Sequence, residues 1–173
     1  MVEILWNGRG GQGAFTAAKI LGAAWALKDE RNFALAFPAF GPERRGVPVR
    51  AFTKLDVWPI NNRGEIKMCD FIIYLDDTLF NESVLSGLKE DGKVIINTVK
   101  RYADRRIVAV DVGHIAFGVL KRPIVNTAML GVFAAVSPCV TLPEIEHAIT
   151  ETMPKESAAG NIAVVRKVLE SAA

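Results

Sequence analysis

Gly8-Arg9-Gly10-Gly11-Gln12-Gly13 constrains the fold of this chain more than any other stretch. An apolar run over residues 2–6 precedes it, and a helical pattern over 12–28 follows, with Phe15, Ala18, Ile20, Leu21, Trp25 and Leu27 at helix-compatible spacing. Glycines between a strand and a helix let the backbone turn tightly and approach a partner closely. The helix then points its free N–H groups and positive dipole end at the same spot, a ready site for phosphate. The competing reading is that the glycines serve only the turn and close helix–strand packing.

The remaining chain alternates in the same way. Strands are expected over 1–7, 33–37, 47–55, 71–75, 94–97 and 107–110. Asp76-Asp77-Thr78 supplies N-cap chemistry for a short helix reaching about Leu88, and Trp58-Pro59-Ile60-Asn61-Asn62 reads as a hairpin or an excursion. Further helices are expected over 112–120, 124–136, 142–152 and 162–171. This order predicts an α/β fold: one Rossmann-like domain over residues 1–173, with a mostly parallel sheet flanked by helices. There is no repeat and no low-complexity linker.

Composition narrows the function. No window approaches the roughly 18 uninterrupted apolar residues of a membrane span, and no basic-then-apolar leader opens the chain, so a cytoplasmic protein is expected. A net charge of +2 without a dense Lys/Arg block argues against a nucleic-acid partner. Half the residues are hydrophobic and mean hydropathy is +0.23, which suits apolar surface reserved for protein partners. Cys69 and Cys139 form no Cys-x-x-Cys pair, and His114 and His147 stand alone, so no metal site is expected.

The glycine turn lacks one element of an autonomous dinucleotide site. An acid should end the second strand to hold the ribose hydroxyls. Here Asp29 and Glu30 precede that strand, and it ends in Phe37-Pro38. Arg9 and Gln12 give the turn side chains that reach anionic and amide groups outside a standard dinucleotide crevice.

A second constellation, Phe37-Pro38-Ala39-Phe40-Gly41-Pro42-Glu43-Arg44-Arg45-Gly46-Val47-Pro48, packs aromatics, prolines and glycines around one acid and two arginines. It reads as a shaped loop. In a doubly wound sheet the loop after strand two lies near the loop after strand one, at the carboxyl edge where ligands bind. Arginine there offers a planar fork for phosphate or carboxylate; the alternative is a rigid turn with its charges solvated or self-paired. Asn126 and Thr127, after Pro123, either cap a helix or donate to a ligand at its N-terminus. No Ser-His-Asp or Cys-His arrangement emerges from the spacing, so no catalytic residue is assigned to this chain.

Three motifs in order carry a resemblance. Gly8 to Gly13 with Thr16-Ala17-Ala18, then Phe37-Pro38-x-Phe40-Gly41-x-Glu43-Arg44-Arg45-Gly46-x-Pro48, then Asn126-Thr127-Ala128-Met129-Leu130-Gly131, resemble the gamma subunit of the 2-oxoacid:ferredoxin oxidoreductases, pyruvate type. The resemblance implies an enzyme that decarboxylates a 2-oxoacid on thiamine diphosphate. It passes electrons through [4Fe-4S] clusters to ferredoxin and the acyl group to coenzyme A, or runs in reverse. Thiamine diphosphate, magnesium and the clusters would lie on alpha, beta and delta subunits, and the gamma chain would be inactive alone.

Carried over, Gly8, Gly10, Gly11 and Gly13 form the turn, and Arg9 and Gln12 face coenzyme A or a neighbouring subunit. Phe40, Gly41, Glu43, Arg44 and Arg45 belong to a loop beside the shared active site, with Glu43 and Arg44 placed to pair across an interface. Asn126 and Thr127 line the same crevice. The alternatives are an autonomous NAD(P)-binding oxidoreductase and a purely structural assembly subunit, including one of an oxalate-type relative.

Overall fold

The computed structural model describes residues 1–39 and 45–172. Strands β1 (Val2–Arg9), β2 (Phe33–Pro38), β3 (Pro48–Asp56), β4 (Cys69–Tyr74), β5 (Leu88–Asn97) and β6 (Ile107–Val110) form one sheet in the order β2-β3-β1-β4-β5-β6. β1, β4, β5 and β6 run parallel, whereas β3 is antiparallel to both its neighbours. Helices α1 (Ala14–Lys28), α2 (Val112–Leu120), α3 (Asn126–Val136), α4 (Leu142–Thr152) and α5 (Lys155–Ala172) flank it. The α/β fold with a mostly parallel sheet is as the sequence predicts.

Alternation along the strands divides the core in two. Ile4 and Trp6 of β1, Ile73 of β4 and Ile95 of β5 point into a large cluster shared with the helices. Their neighbours Leu5, Ile72, Tyr74, Val94 and Ile96 point the other way, into a smaller cluster with Leu79, Phe80, Leu85 and Tyr102. That second face carries a thin cover of loops and 3₁₀ turns, with Phe80 edge-on to both Tyr74 and Tyr102 at 5.5 and 5.3 Å.

Small residues bring α1 onto the sheet. Ala17, Ala18, Gly22 and Ala24 are buried on it. A relay pins it there: Trp6 Nε1 donates to Thr53 Oγ1 at 3.0 Å, and that hydroxyl donates to the Ala18 carbonyl at 3.0 Å. The α3–α5 crossing is tighter still, because a Cβ on Gly131 would lie 2.8 Å from the Val165 carbonyl oxygen.

Three expectations need correction. The helix expected from Asp77 to Leu88 is two 3₁₀ turns, Asp77–Leu79 and Glu82–Gly87. Asp76 and Asn81 each accept the N–H two residues on, closing local turns that compete with a continuous α-helix. β5 begins at Leu88, earlier than the strand expected over 94–97, and Asp91-Gly92 lies inside it at a register shift. A Cβ at Gly92 would stand 2.9 Å from the Cys69 carbonyl, which explains the glycine. Finally, α5 starts at Lys155, earlier than its apolar spacing indicates, since Pro154 accepts the first turn's N–H groups.

Candidate functional site

The glycine turn forms at the carboxyl end of β1, where parallel sheets expose their ligand-binding edge. Gly10 continues the β1–β3 pairing: its N–H donates to the Val47 carbonyl at 2.8 Å, and its carbonyl accepts from Gly46 at 3.0 Å. The chain then reverses through Gly11 and Gly13, with φ of 93° and 79°, angles that a side chain makes costly. Gln12 closes the turn, its Oε1 accepting the Arg9 N–H at 2.7 Å.

Arg9 faces inward. Its Nε donates to Asp76 Oδ2 at 2.9 Å, one terminal nitrogen to the Gly46 carbonyl at 3.1 Å, and the other to Thr78 Oγ1 at 2.8 Å. Gln12 Nε2 points at the same Asp76 oxygen, 3.4 Å away. Burial pushes the Asp76 carboxyl up, but hydrogen bonds from Thr78 and Arg9 outweigh it and hold the group below the usual carboxylate range. One carboxylate therefore joins the ends of β1 and β4 to the start of β3. Next to it, Asp77 accepts from Thr98 Oγ1 at 2.7 Å and pairs with Lys100 at 3.0 Å, bringing in the end of β5. Asp76 is also the cap that the sequence predicts, its Oδ1 accepting the Thr78 N–H at 3.0 Å at the start of the 3₁₀ turn.

What remains open is the N-terminus of α1. Gly13 caps it without a side-chain bond, and the first intrahelical bond is Ala17 N–H to the Gly13 carbonyl at 3.0 Å. The N–H groups of Ala14, Phe15 and Thr16 thus lack intrahelical acceptors. Those residues line a cleft of about 350 Å³ with Arg9, Gly10, Gly11, Gly13, Val49 and Arg50. No acid occupies the first turn. Arg45 runs alongside Gly11, its Cγ and Nε 4.0 Å from where a Cβ on that glycine would be.

Asn126 reaches this turn and Thr127 does not. Asn126 opens α3 after Val125, is 7% exposed, and sets its Nδ2 3.4 Å from the Gly13 carbonyl. Its Oδ1 is buried without a partner among the described residues. Thr127 is fully buried and donates to Asn161 Oδ1 of α5 at 2.7 Å, a helix–helix contact away from the cleft. Neither side chain caps α3. Phe40, Gly41, Glu43 and Arg44 lie outside the described residues.

The loop after β2 returns to the glycine turn for another reason than expected. β3 stands between β2 and β1, so the end of β2 is two strands away, about 10 Å. Contact comes from residues 45–47 as they enter β3, including the isolated Gly10–Arg45 bridge. Among the described residues, β2 ends in Phe37-Pro38 with β3 interposed, so the end of β2 sets no acid beside the turn for a dinucleotide ribose.

Among the described residues, no three His, Cys, Asp or Glu side chains gather to hold a metal. Cys69 is buried, and burial with the nearby charges of Glu3 and Asp70 raises its thiol to about 11. This donor set fits neither an iron–sulfur cluster nor the magnesium of thiamine diphosphate. No helix is long and apolar enough to cross a membrane.

The family model described as pyruvate ferredoxin/flavodoxin oxidoreductase matches residues 3–171. The chain belongs to this family. Among its relatives, pyruvate synthase subunit PorC of Methanothermobacter thermautotrophicus is 42% identical, over 98% of this chain and 95% of its own length. The pyruvate/ketoisovalerate oxidoreductases common subunit gamma of Pyrococcus abyssi is 41% identical, over 98% and 96%. In solved structures, pyruvate oxidoreductase subunit PORC of Thermotoga maritima superposes with a TM-score of 0.81 at 34% identity, covering 98% of this chain and 95% of that one. The fold also recurs in 31% of a 2-oxoglutarate:ferredoxin oxidoreductase chain from Magnetococcus marinus, solved with 2-oxoglutarate, coenzyme A and succinyl-CoA. That likeness has a TM-score of 0.76, covers 98% of this chain and is 14% identical. The family expected from the three motifs is the family found: the gamma subunit of a 2-oxoacid ferredoxin oxidoreductase of the pyruvate type.

Proposed function

We propose that this chain completes one wall of a thiamine-dependent 2-oxoacid:ferredoxin oxidoreductase, and that the α1 N-terminus holds a phosphate of coenzyme A. The observation that carries the reading is the uncapped, acid-free start of α1 opening into a cleft. Three N–H groups without acceptors, the dipole of a fifteen-residue helix and the adjacent Arg45 make that cleft attractive to an anion. Gly11 and Gly13 keep it free of side chains, and Asn126 packs against Gly13 behind it.

Within that division of labour the chain binds and orients. Arg9, Gln12 and Asp76 fix the turn; Ala14, Phe15, Thr16, Arg45 and Arg50 face the ligand. The loop over Phe40, Gly41, Glu43 and Arg44 meets neighbouring subunits. Coenzyme A, when bound, supplies the thiol that takes the acyl group. Thiamine diphosphate, magnesium and clusters belong to alpha, beta and delta partners, with ferredoxin as acceptor, in the cytoplasm, and the isolated chain is inactive. Choice of oxoacid lies with the partners, in keeping with a relative described as common to pyruvate and ketoisovalerate enzymes.

Thr16→Glu tests the site. A carboxylate in the first turn favours the helix yet repels a bound phosphate. In the assembled enzyme the KM for coenzyme A should rise about tenfold, with the subunit's melting temperature preserved. An unchanged KM would remove coenzyme A from this cleft.

A further inference from the structure

Strand β2 is an edge of the sheet, and its pairing with β3 shows which of its main-chain groups are left over. The Ala39 N–H donates to the Arg50 carbonyl at 2.9 Å. In the same register Phe37 faces Phe52, Leu35 faces Lys54 and Phe33 faces Asp56. Alternate pairs of an antiparallel ladder exchange both bonds, so these residues direct their N–H and C=O groups at β3. Ala34 and Ala36 therefore turn theirs outward, where no partner meets them among the described residues. The open row ends at Asn32, whose N–H is bonded to the Asp29 carbonyl at 2.9 Å, and at Pro38, which has no N–H.

An open edge of this kind is a template for another strand, and proteins usually blunt it with charge. β2 carries no charged residue. Beside it, α1 leaves space instead of cover. Gly22 packs against Ala34 and Ala36, a Cβ there lying 3.5 and 3.8 Å from theirs, and with Lys19, Ala23 and Ala26 they line a groove of about 260 Å³. At the start of β2 the apolar surface continues. Phe33, Val57 and Trp58 border a cavity of about 690 Å³, and Trp58 is 73% exposed.

We propose that β2 receives an extended apolar segment of another subunit as an added strand, an inference that rests on the assembly proposed above but not on where coenzyme A binds. Ala34 and Ala36 bond to its main chain, and its alternate side chains enter the groove against Gly22, Ala23 and Ala26. The groove decides against a second copy of this chain. Two β2 strands paired antiparallel about Leu35 would set only the Ala34 and Ala36 methyls there and leave it unfilled. The incoming segment instead carries large apolar residues at every second position, one of them reaching Trp58.

Amide hydrogen exchange, read residue by residue, tests this in the isolated full chain and in the assembled enzyme. In the isolated chain Ala34 and Ala36 should exchange fast, while Leu35 and Phe37, bonded to β3, exchange slowly. Assembly should slow Ala34 and Ala36 about a hundredfold. Ala26→Glu, at an exposed helix position, keeps the fold and puts a carboxylate in the groove. It should weaken that protection about tenfold and leave Leu35 unchanged. An assembled enzyme in which Ala34 and Ala36 still exchange fast, or in which Ala26→Glu leaves their protection intact, overturns the β2 surface alone. Slow exchange of both in the isolated chain, growing with its concentration, would mean a second copy and overturns it too. Failure of this chain to assemble with any thiamine-enzyme subunit would instead remove the assembly reading, and the β2 partner with it.

Discussion

The Asn126 side-chain nitrogen lies 2.5 Å from where a Cβ on residue 13 would be built, although Asn126 and Gly13 are separated by 113 positions. The start of α3 thereby dictates the residue at the start of α1. Gly13→Ala meets both that overlap and a φ of 79°, so it should cost about 2–4 kcal/mol. In an Asn126→Ala background only the backbone cost, about 1–2 kcal/mol, should remain. A denaturation double-mutant cycle measures the difference; additive costs would mean that Asn126 does not constrain the turn.

Asp76 should give the protein an acid-sensitive clamp. Its carboxyl titrates below the ordinary value in the fold, so it stabilises the native state above that value, about pH 4. The contribution is lost as pH falls through the lower folded value. Asp77 behaves likewise, held down first by its Thr98 hydrogen bond and then by Lys100. Asp76→Asn should therefore be less stable at neutral pH and lose less on acidification. Urea unfolding at several pH values checks this, and parallel curves for variant and wild type would contradict it.

Lys54 is wholly buried in β3, and its ammonium donates only to main chain, to the Asn62 and Gly64 carbonyls at 2.9 and 2.8 Å. It straps the segment after β3 across the face that carries Phe37, whose ring centre is 5.7 Å away. Losing this ammonium removes its desolvation cost, and the two carbonyls it leaves belong to exposed residues that water can reach. Lys54→Met should thus change global stability by less than about 1 kcal/mol while speeding tryptic cleavage at Arg63 and Lys67 several-fold. Unchanged cleavage would show that the strap is held otherwise.

Thr127 should prove structural. Thr127→Val leaves Asn161 Oδ1 without its buried donor, at a cost of about 1–3 kcal/mol in stability. The KM for coenzyme A in the assembled enzyme should not move. A raised KM with stability intact would return Thr127 to the ligand crevice.

Much of the fold was legible because its signals are local. The bounds of α2 and α4 follow from apolar spacing, and the glycine turn falls between β1 and α1 as its letters indicate. The site was less legible. Arg9 lines the cleft, but its anchoring by Asp76 and Thr78, 67 and 69 positions away, has no signal in the sequence. Lys54 reads as an ordinary polar residue in a strand, because burial on both faces depends on β3 lying inside the sheet.

The sequence by itself determined the alternation of strands and helices, the glycine turn between β1 and α1 and the family, since periodicity, glycine content and motif order are properties of neighbouring residues. Only the tertiary structure decided that β3 separates β2 from β1, that Arg9 is clamped to Asp76 and that Asn126 closes on Gly13. Each of those depends on strand order and on contacts between distant segments, and chain spacing carries neither.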